Sequence, residues 1–410
     1  MTMPIPRASA ALLAAALAAA ITSPAAAQAP IPDVARAEAP LRGAYAGDFL
    51  VGGTLNLDHV YGRDLAGRAL VVHHFNAISP ENLLKWESVE PQPGRYAFEA
   101  ADWYVNYGVE NGMFVVGHTL VWHQQTPPWV FMGADGQPAT RDTLLARMRR
   151  HIHYVVGRYR GRIRGWDVVN EVLDEDGTLR QSPWLRIIGP DYIRLAFQYA
   201  HEADPQAELY YNDYSLEMPE KRAGAVRLVR ELKARGVPIT GVGLQGHHKM
   251  DWPTLEAEDS TIDAFAALGV KVMITELDID VLPRQGFGAE VSARGPQGCD
   301  CRMNPYVTGL PDSVQQALAR RYADFFALYR RHRGVITRVT FWGVTDRDSW
   351  LNDWPVRGRT NHPLLFGWRG EAKPAFDAVL RAGRGSAASS GGGAMAVGRA
   401  TEWSAAPLQQ

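Results

Sequence analysis

The sequence has 410 residues, of which 46% are hydrophobic and 21% are charged. This composition supplies apolar surface for a large core and excludes a disordered or fibrous chain. Its 43 basic and 44 acidic residues give a formal charge of −1, which argues against a nucleic-acid partner. The two cysteines, Cys299 and Cys301, are too few and too close together for a disulfide framework.

The two ends of the chain differ in composition from the rest. Arg7 is followed by an Ala/Leu-rich run from residue 8 to 21 and by small residues up to Ala27, which predicts an export signal over residues 1–27. That run is too short for a membrane span, so we expect a secreted or periplasmic protein without a membrane partner. Residues 384–410 are rich in Gly, Ser and Ala and predict a disordered tail. One domain over residues 28–383 remains.

Short apolar runs that predict β-strands alternate with helical periodicity along this domain. The predicted strands are Leu50–Asn56, Phe75–Ser79, Phe114–Trp122, Arg164–Asn170, Glu208–Tyr214, Gly241–His247, Lys271–Asp278 and Val339–Asp346. Eight strand–helix units favour an α/β fold, a single-domain TIM (β/α)8 barrel. An open doubly wound sheet is the alternative, but the turn after the first strand lacks the Gly-rich phosphate-binding spacing of that fold.

Polar side chains are concentrated at the carboxyl ends of these predicted strands. They are Asn76, Glu81, His118, Trp122, Asn170, Glu171, Asn212, Gln245, His247, Glu276, Trp342 and Asp346. In a barrel these ends meet on one face, where the active sites of this architecture are built. Charged and amide groups there are costly unless they serve one another or a ligand, so the pattern predicts a site.

Two glutamates directly follow apolar runs and face each other in the predicted barrel. Glu171 ends the run that begins at Trp166, and Glu276 lies in the segment from Ile274 to Asp278, three strands further on. Paired carboxyls carry out glycoside hydrolysis, in which one protonates the leaving oxygen and the other attacks the anomeric carbon or activates water. A buried acid pair with a purely structural role is the alternative.

Several motifs closely resemble those of family 10 glycoside hydrolases, the retaining endo-β-1,4-xylanases. The matching segments, in order, are Glu81 to Trp86, Gly117 to His123, Trp166 to Glu171, Gly243 to His247, Ile274 to Asp278 and Phe341 to Val344. The resemblance extends from Asn76 to Pro374. It implies that Glu276 is the nucleophile and Glu171 the acid/base, about 5.5 Å apart as retention requires.

Strand alternation predicts which neighbours support the two carboxyls. It places Gln245 with His247 on one face and Glu276 with Asp278 on one face. We therefore expect His247 to contact Glu276 while Asp278 orients the imidazole, and Gln245 to reach Glu171. The charge of Glu276 is expected to raise the proton affinity of Glu171.

Asn170 is expected to share the site with Glu171, although the two residues are adjacent. Alternation sends adjacent side chains to opposite faces, so both can serve only if the strand end bends or bulges. The resemblance implies that Asn170 binds the 2-hydroxyl of the attacked sugar, a bond that strengthens as positive charge develops on the ring.

The resemblance also implies a set of substrate-binding side chains. These are Glu81, Asn82 and Lys85 on the donor side, His118, Trp122 and Gln125 beside the scissile bond, Trp342 and Trp350 as stacking walls, and Asn212 and Tyr214 near the acceptor side. Without the resemblance, Glu81 and Lys85 would be interpreted as an ordinary Glu/Lys ion pair at the start of a helix, and Trp342 and Trp350 as core residues.

No metal or cofactor is predicted. The pairs His73-His74, His151 with His153, and His247-His248 are interpreted as structural, and two thiols alone are too few for a small metal site. The role of the Gly/Pro-rich insertion from Leu282 to Pro311 stays open. We expect a monomer that acts on xylan and xylo-oligosaccharides. The alternatives are a β-1,4-glucanase or mixed exo-acting member of the same family, and a non-catalytic polysaccharide-binding protein.

Overall fold

The computed structural model describes residues 39–283, 303–355 and 357–384. The predicted export signal, Cys299 and Cys301 lie outside these ranges, as does the predicted tail apart from Arg384, which ends the last helix. Within them, no helix combines the length and the apolar character that a membrane crossing needs.

The strands form a closed parallel barrel. Their bounds are β1 Leu50–Leu55, β2 Ala77–Pro80, β3 Phe114–Val121, β4 Gly165–Asn170, β5 Glu208–Asp213, β6 Gly241–Leu244, β7 His247–Lys249, β8 Lys271–Asp280 and β9 Ile336–Phe341. Strands β1 to β6 pair in chain order, β6 pairs with β8, β8 with β9, and β9 with β1. The short β7 continues the line of β6 and pairs with the second half of β8. The predicted (β/α)8 barrel is confirmed.

Helices surround the barrel. They are α1 Leu41–Ala44, α2 Leu57–Val60, α3 Leu65–His74, α4 Trp86–Val89, α5 Glu99–Glu110, α6 Arg141–Arg158, α7 Pro183–Ile188, α8 Asp191–Ala203, α9 Pro219–Ala234, α10 Leu255–Ala266, α11 Asp312–Arg331 and α12 Pro374–Arg384. Several begin at a side-chain cap: Thr140 accepts from the Thr143 amide, and Thr254 from the Ala257 amide. Each long helix turns an apolar stripe to the barrel, as Met148 and Ile152 do in α6.

The barrel strands are buried on both faces, since they are lined by the side chains of the barrel interior on one face and by helices on the other. In β4 and β6 every residue is buried. Polar groups are tolerated at the carboxyl ends of these strands because they bond to one another, as described below.

Most strand bounds agree with the prediction to within two residues, but two predicted strands differ from the structure by three residues or more at an end. The predicted strand Gly241–His247 is interrupted after Leu244, because Gly246 adopts φ +79° and a Cβ there would lie 2.8 Å from Ile274. The last strand is Ile336–Phe341 rather than Val339–Asp346, because Gly343, at φ +140°, turns the chain out of the sheet. Trp342 to Asp346 therefore lie in a loop beyond the strand.

Candidate active site

A cavity of about 330 Å³ opens at the carboxyl ends of the strands. It is lined by Glu81, Asn82, Lys85, His118, Trp122, Gln125, Asn170, Glu171, Gln245, His247, Glu276, Trp342, Trp350, Asp353 and Trp354. Most of the predicted site residues are thus brought together. Asp278, Asn212 and Tyr214 lie behind the lining. Asn76 and Asp346 serve the fold instead, since Asn76 accepts from the Val51 amide and Asp346 forms a buried ion pair with Lys373.

Glu276 is held by a histidine that is itself held by an aspartate. His247 Nε2 lies 3.1 Å from Glu276 Oε2, and His247 Nδ1 lies 3.1 Å from Asp278 Oδ1. Burial alone would lower the pKa of His247, but the two carboxylates raise it to about 10. The imidazolium form donates from both nitrogens, so the contacts predicted from strand alternation are present.

The second partner of Glu276 is Asn212. Its amide group donates to Glu276 Oε1 at 2.8 Å and to Asn170 Oδ1 at 2.9 Å, while its own oxygen accepts from the Thr275 hydroxyl at 2.6 Å. Asn212 is fully buried, so its predicted place among the sugar-binding side chains is wrong. It lies beneath Glu276, because strand β5 lies between β4 and β6 and points its end residue inward.

These contacts set the charge of Glu276. Burial would raise its pKa, but the hydrogen bond and positive charge of His247, the nearby His118 and the amide of Asn212 together lower it. His118 is oriented by a 2.9 Å contact between its Nδ1 and Asp167. Glu276 is therefore kept ionised and aimed into the cavity, which is the state required of a nucleophile.

Glu171 projects into the cavity from an irregular strand end. The pairing of β4 with β5 shifts register between Asp167 and Val169, and Glu171 adopts a left-handed φ of +56°. The bend predicted for this strand end is present, and it allows adjacent Asn170 and Glu171 to line the same cavity.

Two donors hold the carboxyl of Glu171. Gln245 Nε2 donates to its Oε1 at 3.1 Å, and the indole of Trp122 donates to its Oε2 at 2.8 Å. Gln245 also lies 3.4 Å from Asn170 Oδ1. A continuous chain of hydrogen bonds therefore joins the two glutamates through Gln245, Asn170 and Asn212.

The pKa of Glu171 is raised, in contrast to that of Glu276. Burial is the main cause; the His123 charge lowers the pKa, the charge of Asp213 raises it, and the donors Gln245 and Trp122 lower it. Desolvation is the largest cause of this shift, and the contribution expected from the charge of Glu276 stays a prediction. Two glutamates with opposite pKa shifts, Glu171 raised and Glu276 lowered, therefore line the same cavity.

A cluster of polar side chains lines the donor side of the cavity. Lys85 donates to Asn82 at 2.8 Å and to Gln125 at 2.7 Å, and its ammonium lies 4.8 Å from the centre of the Trp122 ring. Burial lowers the pKa of Lys85 and raises that of Glu81 to about 7. These residues precede helix α4 and converge on the cavity, so they are not an ordinary ion pair on a helix.

Tryptophans form the opposite wall. Trp350 stacks on Trp354 with ring centroids 4.6 Å apart, and Trp350 donates to Asp278 Oδ2 at 2.8 Å. Trp342 meets the edge of His118 at 5.5 Å. Aromatic faces beside hydroxyl-binding side chains suit a sugar ring.

Tyr214, which the resemblance places near the acceptor side, does not line the cavity. It is buried, accepts from Arg180 at 2.8 Å and donates to Glu175 at 3.1 Å. Arg180 also donates to the backbone oxygen of Glu171 at 3.0 Å. Arg180 and Trp354 were missed from the sequence because both lie on loops, where no periodicity indicates the direction of a side chain.

A (β/α)8 barrel with two glutamates of opposite pKa shift at its mouth, in a cavity lined by tryptophan rings, is the arrangement of a glycoside hydrolase. Comparison with known proteins specifies the family. The family model described as "Glycosyl hydrolase family 10" matches residues 40–382, and the chain belongs to this family.

Individual relatives agree along most of their length. The chain is 44% identical over 354 residues to endo-1,4-beta-xylanase A of Xylanibacter ruminicola, covering 86% of this chain and 95% of that protein. It is 41% identical to the beta-1,4-xylanase of Dictyoglomus thermophilum, covering 83% and 90%. A solved GH10 endoxylanase from a sugarcane soil metagenome has a TM-score of 0.81 and 44% identity, covering 83% of this chain and 99% of that chain.

Proposed function

We propose that this protein is a retaining endo-1,4-β-xylanase that hydrolyses internal bonds of xylan by double displacement. The observation that carries the proposal is that Glu171 and Glu276 line one cavity and are joined by hydrogen bonds through Gln245, Asn170 and Asn212. The pKa of Glu276 is lowered and that of Glu171 is raised, the directions that suit a nucleophile and an acid in the first step. The named xylanases among the relatives support the substrate.

In the first step Glu276 attacks the anomeric carbon, and the bond to the leaving oxygen breaks as Glu171 transfers its proton to that oxygen. The glycosyl ester formed on Glu276 is neutral. Glu171, now a carboxylate, takes a proton from water, which attacks the same carbon and releases Glu276 with retained configuration. Both steps use only groups of this chain, the sugar and water.

Asn170 supplies a polar contact beside the reacting carbon. Its oxygen accepts from Asn212 and Gln245, which leaves the amide nitrogen to donate towards the cavity that Asn170 lines. A 2-hydroxyl at that position receives the donor, and the bond strengthens as the ring gains positive charge.

The wall of Trp350 and Trp354 supports xylose over glucose. Xylose lacks the hydroxymethyl group of glucose, and two stacked indoles at the edge of the cavity leave little room for that group. Turnover of aryl β-xylobioside and aryl β-cellobioside measures this choice. Equal kcat/KM on both would remove the xylan specificity and favour the glucanase alternative.

Incubation with xylan followed by sizing of the products tests the function itself. Endo cutting gives long intermediates that shorten with time, whereas disaccharide from the start means exo cutting. Glu276→Ala is expected to release no products, which separates the enzyme from a contaminant. Binding of xylan without products in the unmodified protein would leave only a polysaccharide-binding role.

We also propose that the protein is exported and acts as a monomer. The support for export is the predicted signal over residues 1–27. The mass of the protein recovered outside the cytoplasm is expected to correspond to cleavage after Ala27. A full-length mass there would remove this proposal, and light scattering determines the oligomeric state.

A further inference from the structure

Three buried ionisable side chains meet on the far side of the barrel wall from the cavity. They are Glu217, in the loop before α9, His248 in β7 and Glu258 in α10, and they are 4%, 1% and 0% exposed. One nitrogen or oxygen atom of each lies within 4.8 Å of the others. His248 reaches them because alternation along β7 turns it away from its neighbour His247.

Two side chains of this cluster carry atoms without a geometric hydrogen-bond partner, although Glu217 and Glu258 share a hydrogen bond when one of them is protonated. Among the residues that the structure describes, no hydrogen-bond partner is found for either ring nitrogen of His248 or for Oε2 of Glu258. His248 Nε2 and Glu258 Oε2 lie 3.7 Å apart, too far for a hydrogen bond. Buried polar atoms without partners cost about 1–3 kcal/mol each, so the arrangement points to a ligand between them.

The nearby cations are committed to other groups. Lys221 contacts Asp213 at 2.9 Å, Arg222 donates to the backbone oxygen of Ala257 at 3.2 Å, and Arg321 donates to that of Lys249 at 3.2 Å. Each of these three cations therefore has a partner other than the two buried acids, although Lys221 and Arg222 still act on Glu217 and Arg321 on Glu258 through their charges. A dication bound between the two acids would balance their charge once they ionise.

We propose that Glu217, His248 and Glu258 bind a divalent transition-metal ion, for which Zn²⁺ is the best match. One imidazole nitrogen and two carboxylate oxygens are donors that Zn²⁺ accepts. Tetrahedral ligands at the usual bond lengths lie about 3.4 Å apart, close to the 3.7 Å between His248 and Glu258.

The surroundings are those of a structural metal site. Tyr329 donates to Glu258 Oε1 at 3.1 Å and so fixes the second oxygen of that ligand. The Phe325 ring lies 4.4 Å from the His248 ring and covers it from α11. The ion would join β7, α10 and the start of α9, outside the catalytic cavity. A second group, His59, Asp64 and Asp348, is less suitable because Arg347 already contacts Asp64 at 2.7 Å.

Metal analysis of the tag-free protein tests the proposal. The protein is purified without chelators from zinc-containing medium, and zinc is measured by mass spectrometry. About one zinc per chain is expected, with loss of the metal in Glu258→Gln and in His248→Gln. The control is Glu256→Gln, an exposed acid two residues earlier in the same helix, which is expected to keep the zinc.

Thermal unfolding of the unmodified protein provides a second test, which does not depend on whether a variant folds. After dialysis against a chelator, added ZnCl₂ is expected to raise Tm by about 5 °C, and chelator to remove that gain. Less than a tenth of an equivalent of metal together with a Tm that ignores zinc would overturn the proposal and leave a proton shared by the two acids. Full zinc content in Glu258→Gln would place the metal elsewhere and overturn it too.

Discussion

The indole of Trp350 donates a hydrogen bond to Asp278 Oδ2 at 2.8 Å. A side chain that lines the sugar cavity is therefore bonded to the carboxylate that orients His247, whose other nitrogen contacts Glu276. Three consecutive hydrogen bonds therefore link Trp350, at the cavity wall, to the nucleophile Glu276.

Trp350→Phe keeps an aromatic wall but removes this N–H donor. We expect kcat on an aryl xylobioside to fall about tenfold, the effect of losing one hydrogen bond to a charged group. Trp354→Phe is the control, since Trp354 lines the same cavity and stacks on Trp350 at 4.6 Å. Equal losses in the two variants would assign the effect to the wall and not to the bond with Asp278.

Asn212→Ala removes the amide that donates to Glu276. Because that bond lowers the pKa of Glu276, its loss is expected to move the acid limb of the kcat/KM profile to higher pH, with kcat reduced about tenfold or more. Asn76→Ala, which removes a structural contact to the Val51 amide, is expected to lower stability and leave the acid limb in place. An unmoved limb in Asn212→Ala would show that Asn212 acts only on the fold.

Activity is expected to be bell-shaped in pH, with each limb due to one glutamate. The lowered pKa of Glu276 keeps the nucleophile ionised below the ordinary value of 4.5, and the raised pKa of Glu171 keeps the acid protonated above it. In Glu171→Ala, assayed on a substrate whose leaving group needs no proton, the alkaline limb should disappear. Its persistence would assign that limb to another residue.

Azide is expected to distinguish the roles of the two glutamates. Glu171→Ala still forms the glycosyl ester from substrates with good leaving groups, so azide should restore turnover and give a β-glycosyl azide. Glu276→Ala should be inactive without azide, and any azide product that it forms should be α-configured, because azide then attacks the substrate directly with one inversion. An α-configured azide product from Glu171→Ala would indicate inversion and a wrong assignment.

Glu171→Gln is expected to stabilise the fold at alkaline pH. A carboxyl whose pKa is raised by folding contributes stability at low pH that is lost as pH rises through the folded value, and Glu171 is such a group. The neutral amide has no charge to bury, so the Tm difference between variant and parent should grow with pH. A constant difference would show that the proton of Glu171 does not contribute to stability.

The barrel was predictable because its strands are short apolar runs with polar groups at one end. The contacts of His247 with Glu276 and Asp278 followed as well, because alternation along a strand fixes which side chains share a face. Strand ends were harder, since the break at Gly246 and the early end of β9 depend on backbone conformation.

Residues on loops and beneath the cavity were the ones misplaced. Asn212 follows the same strand-end pattern as Asn170, and only packing between β4 and β8 reveals that it contacts Glu276 rather than sugar. The sequence favours a structural role for His247-His248 and does not indicate that Glu217 and Glu258, which come from other elements, lie beside His248. Contacts between single polar side chains that are distant in the sequence produce no periodic pattern from which they could be predicted.

The short strand β7 points two consecutive histidines to opposite sides: His247 contacts Glu276, and His248 lies beside the buried Glu258. Its alignment with β8 pairs His247 with Asp278 and His248 with Ile279. A shift of one residue in the register of β7 would turn His247 away from Glu276 and His248 away from the buried acids. Deleting or inserting one residue between Gly246 and Lys249 is therefore expected to disrupt both sets of contacts, whereas replacing one histidine disrupts only one.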